Sequence, residues 1–329
     1  MLVLIWGLGV VLVGCGPKDP EVVGGIDGGG SGSDTGGIEP DTGTPDTGTR
    51  PDTSDTGQAN PDGDATVMPT AGQVAAGEAH SCALGADGSV ACWGSDEDGE
   101  SGLPGGMLSA VTAGAGFTCG ISVTDGTVDC WGREEFNEVT GPTGELTQVS
   151  AGGRHVCGLR EDGTAICWGD DEFGQATPPD GTFVAVAAGV DFSCGILDDG
   201  TATCWGRDEY GEGEPPEETF TAISAGEDHA CGIREGGTVD CWGNDDDGQA
   251  SLPGGPLLQV SAGWGHTCGV KPDGSIDCWG DDEYGQTSLP TGQYREIAAG
   301  HGHTCARTAD RSVDCWGQDE FGEAVPPSL

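Results

Sequence analysis

From Gln73 onward the chain is a succession of apolar runs four to six residues long, separated by glycine and aspartate, and the order recurs every 37 or 38 residues. In its first occurrence Gln73-Val-Ala-Ala-Gly77 is followed by His80-Ser-Cys-Ala-Leu84, an Asp87-Gly88 pair, Ser89-Val-Ala-Cys-Trp-Gly94 and a polar stretch at 95–100. Short apolar runs bounded by Gly and Asp-Gly predict strands joined by tight turns. Seven such units follow one another, each closing on Cys-Trp-Gly, at Cys92, Cys130, Cys167, Cys204, Cys241, Cys278 and Cys315. A period of this length marks a repeat fold, in which each unit is one supersecondary element that buries its apolar face only against its neighbours.

Each of those cysteines has a partner ten or eleven residues upstream, at Cys82, Cys119, Cys157, Cys194, Cys231, Cys268 and Cys305. The Cys82 to Cys92 interval is centred on Asp87, so a hairpin turning there sets the two cysteines opposite one another, about 4.5 Å apart at Cα and within reach of a disulfide. Zinc ligation and buried free thiols are the competing uses. The spacing is neither a zinc-ribbon nor a zinc-finger spacing, and an exported chain meets an oxidising compartment, which favours disulfides. The seven tryptophans after the second cysteine hold one register, as aromatics packed between sheets do. His80, His155, His229, His266 and His303 stand two residues before the first cysteine, and Phe117 and Phe192 take that place in the other two units. Interchange with Phe favours packing over metal ligation.

Composition by itself points elsewhere. Leu, Ile, Val and Phe make up only about 17% of the chain and the formal charge is −45, a balance typical of disorder. The fixed register of Trp, Cys and Gly overrules that expectation, while the scarcity of large aliphatics predicts a thin core. Seven bridges closing loops of about 11 residues, each worth roughly 2.5 to 3 kcal/mol, would offset it. The repeats carry most of the negative charge, which excludes a nucleic-acid partner held through its phosphates and disfavours docking on an anionic membrane by charge.

The first 14 residues, MLVLIWGLGVVLVG, are almost wholly apolar, too short to span a bilayer, and fit a signal-peptide core. They end at Leu12-Val13-Gly14-Cys15, which resembles the lipobox of bacterial lipoproteins, although no Lys or Arg precedes the apolar run. The resemblance implies that Cys15 is lipidated and becomes the mature N-terminus, anchored at the outer membrane or cell surface. Residues 15–68 are rich in Gly, Asp, Thr, Ser and Pro and read as a disordered tether, with a typical reach on the order of 40 Å. Contact with the membrane is expected through the lipid alone.

The recurring pattern Ala-Gly-x-x-His-x-Cys-x-Leu, Asp-Gly-x-Val-x-Cys-Trp-Gly-x-Asp-x-x-Gly-Gln resembles the regulator of chromosome condensation repeat in its cysteine-bearing bacterial form, over residues 69–329 and all seven units. The resemblance implies an all-β chain, a seven-bladed propeller with one disulfide in each blade, expected as a monomer. Function does not travel with a fold. Nucleotide exchange on chromatin, the work of the eukaryotic namesake, does not suit an exported acidic chain without a basic arm. A secreted bacterial relative inhibits β-lactamases through loops on one face, which makes protein binding the family-level expectation.

If each unit is a meander, the loops after Ala-Gly and after Trp-Gly share one face and the Asp-Gly turns take the other. The six residues after the seven Trp-Gly pairs hold 22 acidic residues against Arg133 and Arg207. Asp171 and Asp282 belong to acidic pairs repeated in register, and Phe136, Phe173, Tyr210, Tyr284 and Phe321 follow such pairs in five units, where the rings either meet a partner or pack under the loop. Three readings fit that ring of carboxylates: inert solvation, a docking surface for a basic protein or polymer, or a calcium site. The two residues after Ala-Gly vary most between units. Trp264 there is the repeats' only tryptophan outside Cys-Trp-Gly, and His301 is the one histidine out of register. Both are candidate contacts for a partner, with folding of the indole down onto the central channel as the alternative for Trp264. No nucleophile stands beside a positioned base, no phosphate loop occurs and no cofactor is implied, calcium aside. The expectation is a non-catalytic binding or scaffolding module. An inhibitor capping a secreted hydrolase and a calcium-ordered surface protein are the alternatives.

Overall fold

A computed structural model describes residues 2–6, 9–13, 73–103, 105–251, 254–288 and 290–327. Cys15 and the expected tether at 15–68 lie outside them. Leu2–Trp6 and Gly9–Val13, within the expected signal segment, pair antiparallel as a two-stranded sheet. Among the described residues no helix is long and apolar enough to cross a membrane.

The repeats form seven antiparallel sheets of three strands each, in chain order within every sheet. Blade 1 comprises Gln73–Ala76, His80–Leu84 and Val90–Gly94, and blade 2 comprises Leu108–Ala113, Phe117–Ser122 and Val128–Gly132. Blade 3 follows with Gln148–Ala151, His155–Leu159 and Ala165–Gly169, and blade 4 with Phe183–Ala188, Phe192–Leu197 and Ala202–Gly206. Blades 5 and 6 are Ala222–Ala225, His229–Ile233, Val239–Gly243 and Gln259–Ala262, His266–Val270, Ile276–Gly280. Blade 7 is Tyr294–Ala299, His303–Thr308 and Val313–Gly317. The meander is as the turn chemistry predicts, with Gly88, Gly163, Gly200 and Gly274 at positive φ in the turns between second and third strands.

First and second strands are buried almost throughout, whereas third strands are half-exposed. Register pairs Cys82 with Cys92 and repeats that pairing in all seven blades. Every pair is a disulfide, with Cα atoms 4.0 to 4.1 Å apart. The metal and free-thiol alternatives are thereby removed. Large side chains are few but placed where they count. Phe220 lies over Gly232 of the second strand, where an added Cβ would stand 2.3 Å from its ring, and its centroid is 5.7 Å from that of Trp242.

Blades are joined by a polar relay as much as by apolar contact. Each tryptophan donates its Nε1–H to a backbone carbonyl in the loop that follows Trp-Gly of the preceding blade: Trp131 to Glu100 at 3.0 Å, Trp205 to Gln175 at 2.9 Å, and Trp93 of blade 1 to Glu323 of blade 7 at 2.8 Å. That carbonyl also accepts the hydroxyl of Thr118, Ser193, Thr267, Thr304 or Ser81 at 2.9 to 3.3 Å. A hydroxyl that has given its proton away can only accept from a second partner. His80, His155, His229, His266 and His303 of the preceding blades therefore donate to it through Nε2–H, at 2.7 to 2.8 Å. These histidines are fully buried. Burial pushes their imidazoles down, to about 4 at His80, His155 and His229 and about 3 at His266 and His303, so they are neutral.

At the axis the first strands end on the Ala-Gly pairs, and here only glycine fits. A Cβ on Gly152 would stand 2.1 Å from the carbonyl oxygen of Gly189 in the next blade. A cavity of about 40 Å³, room for a few waters, is lined by these Ala-Gly pairs.

Candidate binding face

The loops after Ala-Gly and after Trp-Gly emerge together at one end of the blades. In six blades the residue after the glycine is held by its backbone. Glu78, Gly153, Val190, Glu227, Trp264 and His301 donate their N–H to the glycine carbonyl of the next blade at 3.0 to 3.3 Å, the last reaching from blade 7 to Gly77 of blade 1. Because the backbone supplies the structural bond, the side chain is free to differ from blade to blade. Glu78, Ala115, Gly153, Val190 and Trp264 line the mouth of the axis.

Two residues singled out in the sequence come together there. The Trp264 indole and the His301 imidazole meet in a tilted contact, with centroids 4.1 Å apart and planes at 47°, both half-buried. Burial pushes His301 below its ordinary value, and the carboxylates of Glu78 and Asp281 act against it. Across the mouth, Arg207 faces three carboxylates: Glu209 at 2.5 Å, Asp228 at 3.2 Å and Asp191 at 3.7 Å. Burial raises Asp191, Glu227 and Asp228, with Arg207 opposing in each case.

The outer ring of loops after Trp-Gly differs from a crown of free carboxylates. The acidic residue second after Trp-Gly is turned into its own loop: Asp171 accepts the Ala176 N–H and the Thr177 hydroxyl, both at 2.8 Å, and Asp282 accepts the Thr287 N–H at 2.9 Å. Asp208, Asp245 and Asp319 do the same. Asp171 and Asp282 are thus loop caps in the fold. Among the described residues no three His, Cys, Asp or Glu side chains gather as metal ligands do.

The foundation of each loop is a residue that the sequence reading passed over. Glu100, Glu138, Gln175, Glu212, Gln249, Gln286 and Glu323, sixth after Trp-Gly, are buried at every blade. Their side-chain oxygens accept the N–H of the residue two before, as Gln175 does from Phe173 at 2.8 Å and Glu212 from Tyr210 at 2.7 Å. Glu and Gln interchange because either offers an sp² oxygen. The signal was present as an unbroken Glu/Gln column beside a left-handed residue, glycine in six blades and Asn137 in blade 2.

That clamp fixes the aromatic backbone and leaves the rings in solvent. Phe173, Tyr210, Tyr284 and Phe321 remain 46 to 50% exposed, and Phe136 is half-buried beneath Arg154. The rings do not pack under their loops.

Sequence and structure comparisons agree with this geometry. The sequence profile described as "Regulator of chromosome condensation (RCC1) repeat" matches residues 73–100, 146–175, 183–212, 220–249, 258–286 and 294–323. Blade 2, which departs from the pattern at Phe117, Arg133 and Asn137, is outside those segments yet folds as the others do. No curated protein sequence matches the chain. Among solved structures, the chain is similar to the CRINKLY WD40 ectodomain of the Arabidopsis thaliana receptor kinase ACR4, with 33% identity, a TM-score of 0.66, and coverage of 78% of this chain and 98% of that one. The ectodomain of the Physcomitrella patens receptor kinase CR4 gives 30% identity and the same TM-score, over 75% of this chain and 73% of that one. Human WBSCR16, at 14% identity and a TM-score of 0.62 over 71% and 85%, shares the fold. Six of the seven blades carry the sequence of one family on a ring that all seven complete, and the chain belongs to the regulator of chromosome condensation (RCC1) repeat family.

Proposed function

We propose that the chain is an exported, lipid-anchored, non-catalytic protein-binding module that docks its partner on the face carrying the post-Ala-Gly and post-Trp-Gly loops. The observation that carries this reading is the Trp264–His301 contact at the mouth of the axis, beside a backbone ring that leaves those positions free to specialise. Tryptophans are enriched among the residues that anchor protein interfaces. Seven disulfides suit an oxidising compartment, and the two similar plant structures are ectodomains. Cys15, at the end of the apolar leader, would carry the lipid, and the segment to residue 68 would hold the blades clear of the membrane.

The test is cross-linking of the membrane-anchored protein on cells, followed by recovery of its partners. Trp264→Ala with His301→Ala should lose the partner at least about tenfold, as removal of an interface anchor does, while Asp162→Asn on the opposite turns retains it. Equal recovery by all three proteins removes this face from consideration. Cys15→Ala should release the chain from the membrane fraction, and its continued sedimentation with membranes would end the anchor assignment. Inhibition of a secreted hydrolase is the second reading, favoured by aromatics grouped on the loops of one face.

A further inference from the structure

Outside the mouth of the axis, the loop face repeats one exposed pair, a glutamate third after Trp-Gly followed by an aromatic ring. It occurs as Glu172-Phe173, Glu209-Tyr210, Glu283-Tyr284 and Glu320-Phe321, and as Glu135-Phe136 in blade 2. Structural duties in these loops fall to other positions, since the buried Glu or Gln clamps the backbone and the neighbouring aspartate caps the loop. Nothing in the loop requires a large ring at the fourth place. Blades 1 and 5 fold equally well with Asp98 and Asp247 there. Four large rings left about half in solvent at one register need another explanation.

The molecule itself shows what such a pair accepts. In blade 4 the guanidinium of Arg207 lies 6.0 Å from the Tyr210 centroid while its Nη2 stands 2.5 Å from the Glu209 carboxylate. In blade 2 the Arg154 guanidinium lies 5.2 Å from the Phe136 centroid. A planar cation thus lies near the ring in both blades, and in blade 4 it also meets the Glu209 carboxylate, with Asp191 and Asp228 as further partners. Glu172-Phe173, Glu283-Tyr284 and Glu320-Phe321 repeat the pair, and among the described residues no Lys or Arg of the chain forms an ion pair with these three glutamates.

We infer that Glu172-Phe173, Glu283-Tyr284 and Glu320-Phe321 are docking positions for arginine side chains of a cationic polypeptide. The inference rests on the protein-binding reading and names the chemistry of the partner. A guanidinium satisfies both halves of the pair, stacking on the ring and donating to the carboxylate, which a compact ammonium does less well. Three positions on separate blades select a chain that carries several cations, since linked contacts reinforce one another. The surrounding acidic loops speed its approach and repel polyanions.

The probe is a nona-arginine peptide titrated against the full chain in detergent, with nona-lysine and an uncharged Gly/Ser peptide alongside. Phe173→Leu/Tyr284→Leu/Phe321→Leu keeps the charge and removes the rings. Glu172→Gln/Glu283→Gln/Glu320→Gln removes three charges on this face, and Asp125→Asn/Asp162→Asn/Asp273→Asn removes three on the opposite turns. Nona-arginine should bind more tightly than nona-lysine, and loss of the rings should weaken it about tenfold or more with the salt dependence retained. The glutamate variant should weaken it further than the charge-matched turn variant. Equal affinity for the ring variant and wild type, equal affinity for the two cationic peptides, or no binding of nona-arginine overturns the inference. In that event a cross-linked partner lost on Trp264→Ala/His301→Ala still supports the protein-binding reading.

Discussion

At the scale of single residues, what decides the blade interface is a pairing that runs round the ring. Where one blade offers His, the next offers Ser or Thr, as in His80 with Thr118, His155 with Ser193, His229 with Thr267, His266 with Thr304 and His303 with Ser81. Where the blade offers Phe117 or Phe192, the next offers Val156 or Ala230. A buried hydroxyl facing a phenyl ring would lose its donor, and a buried imidazole facing alanine would lose its acceptor. His155→Phe combined with Ser193→Ala should therefore fold with a stability within about 1 kcal/mol of wild type, whereas His155→Phe alone should lose more. Thermal melts of the two single and one double variant measure the coupling, and strict additivity would refute it. The histidines also set an acid limit. Their folded-state pKa values lie below the ordinary 6.5, so below pH 6.5 the unfolded chain takes up protons that the folded chain refuses, and stability falls as pH drops toward 4. Each contributes a loss of roughly 3 kcal/mol by pH 4. The paired His155→Phe/Ser193→Ala variant should show a shallower acid decline, read from denaturant midpoints between pH 7 and pH 5.

At the scale of the element, a blade is a three-stranded sheet with a bridge between its second and third strands. The bridge joins directly opposed residues, and it closes a short loop that the Asp-Gly turn already favours. Removing it as Cys194→Ala/Cys204→Ala should cost about 2.5 to 3 kcal/mol and lower the melting temperature of the oxidised protein. An unchanged melt would show that the turn and packing suffice. The loops after Trp-Gly are the other element-scale unit, and here the sequence supports the count of carboxylates without their orientation. Asp171, Asp245 and Asp282 accept bonds within their own loops, and among the described residues no three carboxylates gather as metal ligands do. Millimolar calcium should leave the melting temperature unchanged, and a rise would restore the calcium reading.

At the scale of the whole molecule, the ring is closed, among the described residues, without exchanging a strand between the first and last blades. The closure uses the same devices as every other interface: the Glu323 carbonyl takes Trp93 at 2.8 Å and Ser81 at 3.3 Å, His303 donates to Ser81 at 2.8 Å, and the His301 N–H reaches Gly77 at 3.1 Å. Truncation after Gly322 removes the acceptor for Trp93 and should destabilise the entire ring cooperatively, while truncation after Pro326 should not. Chemical denaturation followed by tryptophan fluorescence distinguishes them, and an equal midpoint for both truncations would count against closure through this loop.

The sequence by itself determined the periodic quantities of this protein: seven units, the strand-and-turn order within each, the cysteine pairs and the face on which variable loops gather, while the count of three strands in a blade came from the folded sheets. These follow from alternation, turn residues and spacing, which are local and repeat seven times, so one correct reading of a unit is correct for all. What only the tertiary structure decided are the contacts between units and the direction of side chains within irregular loops. The buried Glu/Gln clamp, the inward turn of Asp171 and Asp282, the open rings of Phe173 and Tyr284, and the meeting of Trp264 with His301 depend on residues brought together across blades or on loop φ angles. A strand's two-residue period fixes where its side chains point. A loop has no such period, and its carboxylates take whichever donors the folded backbone offers.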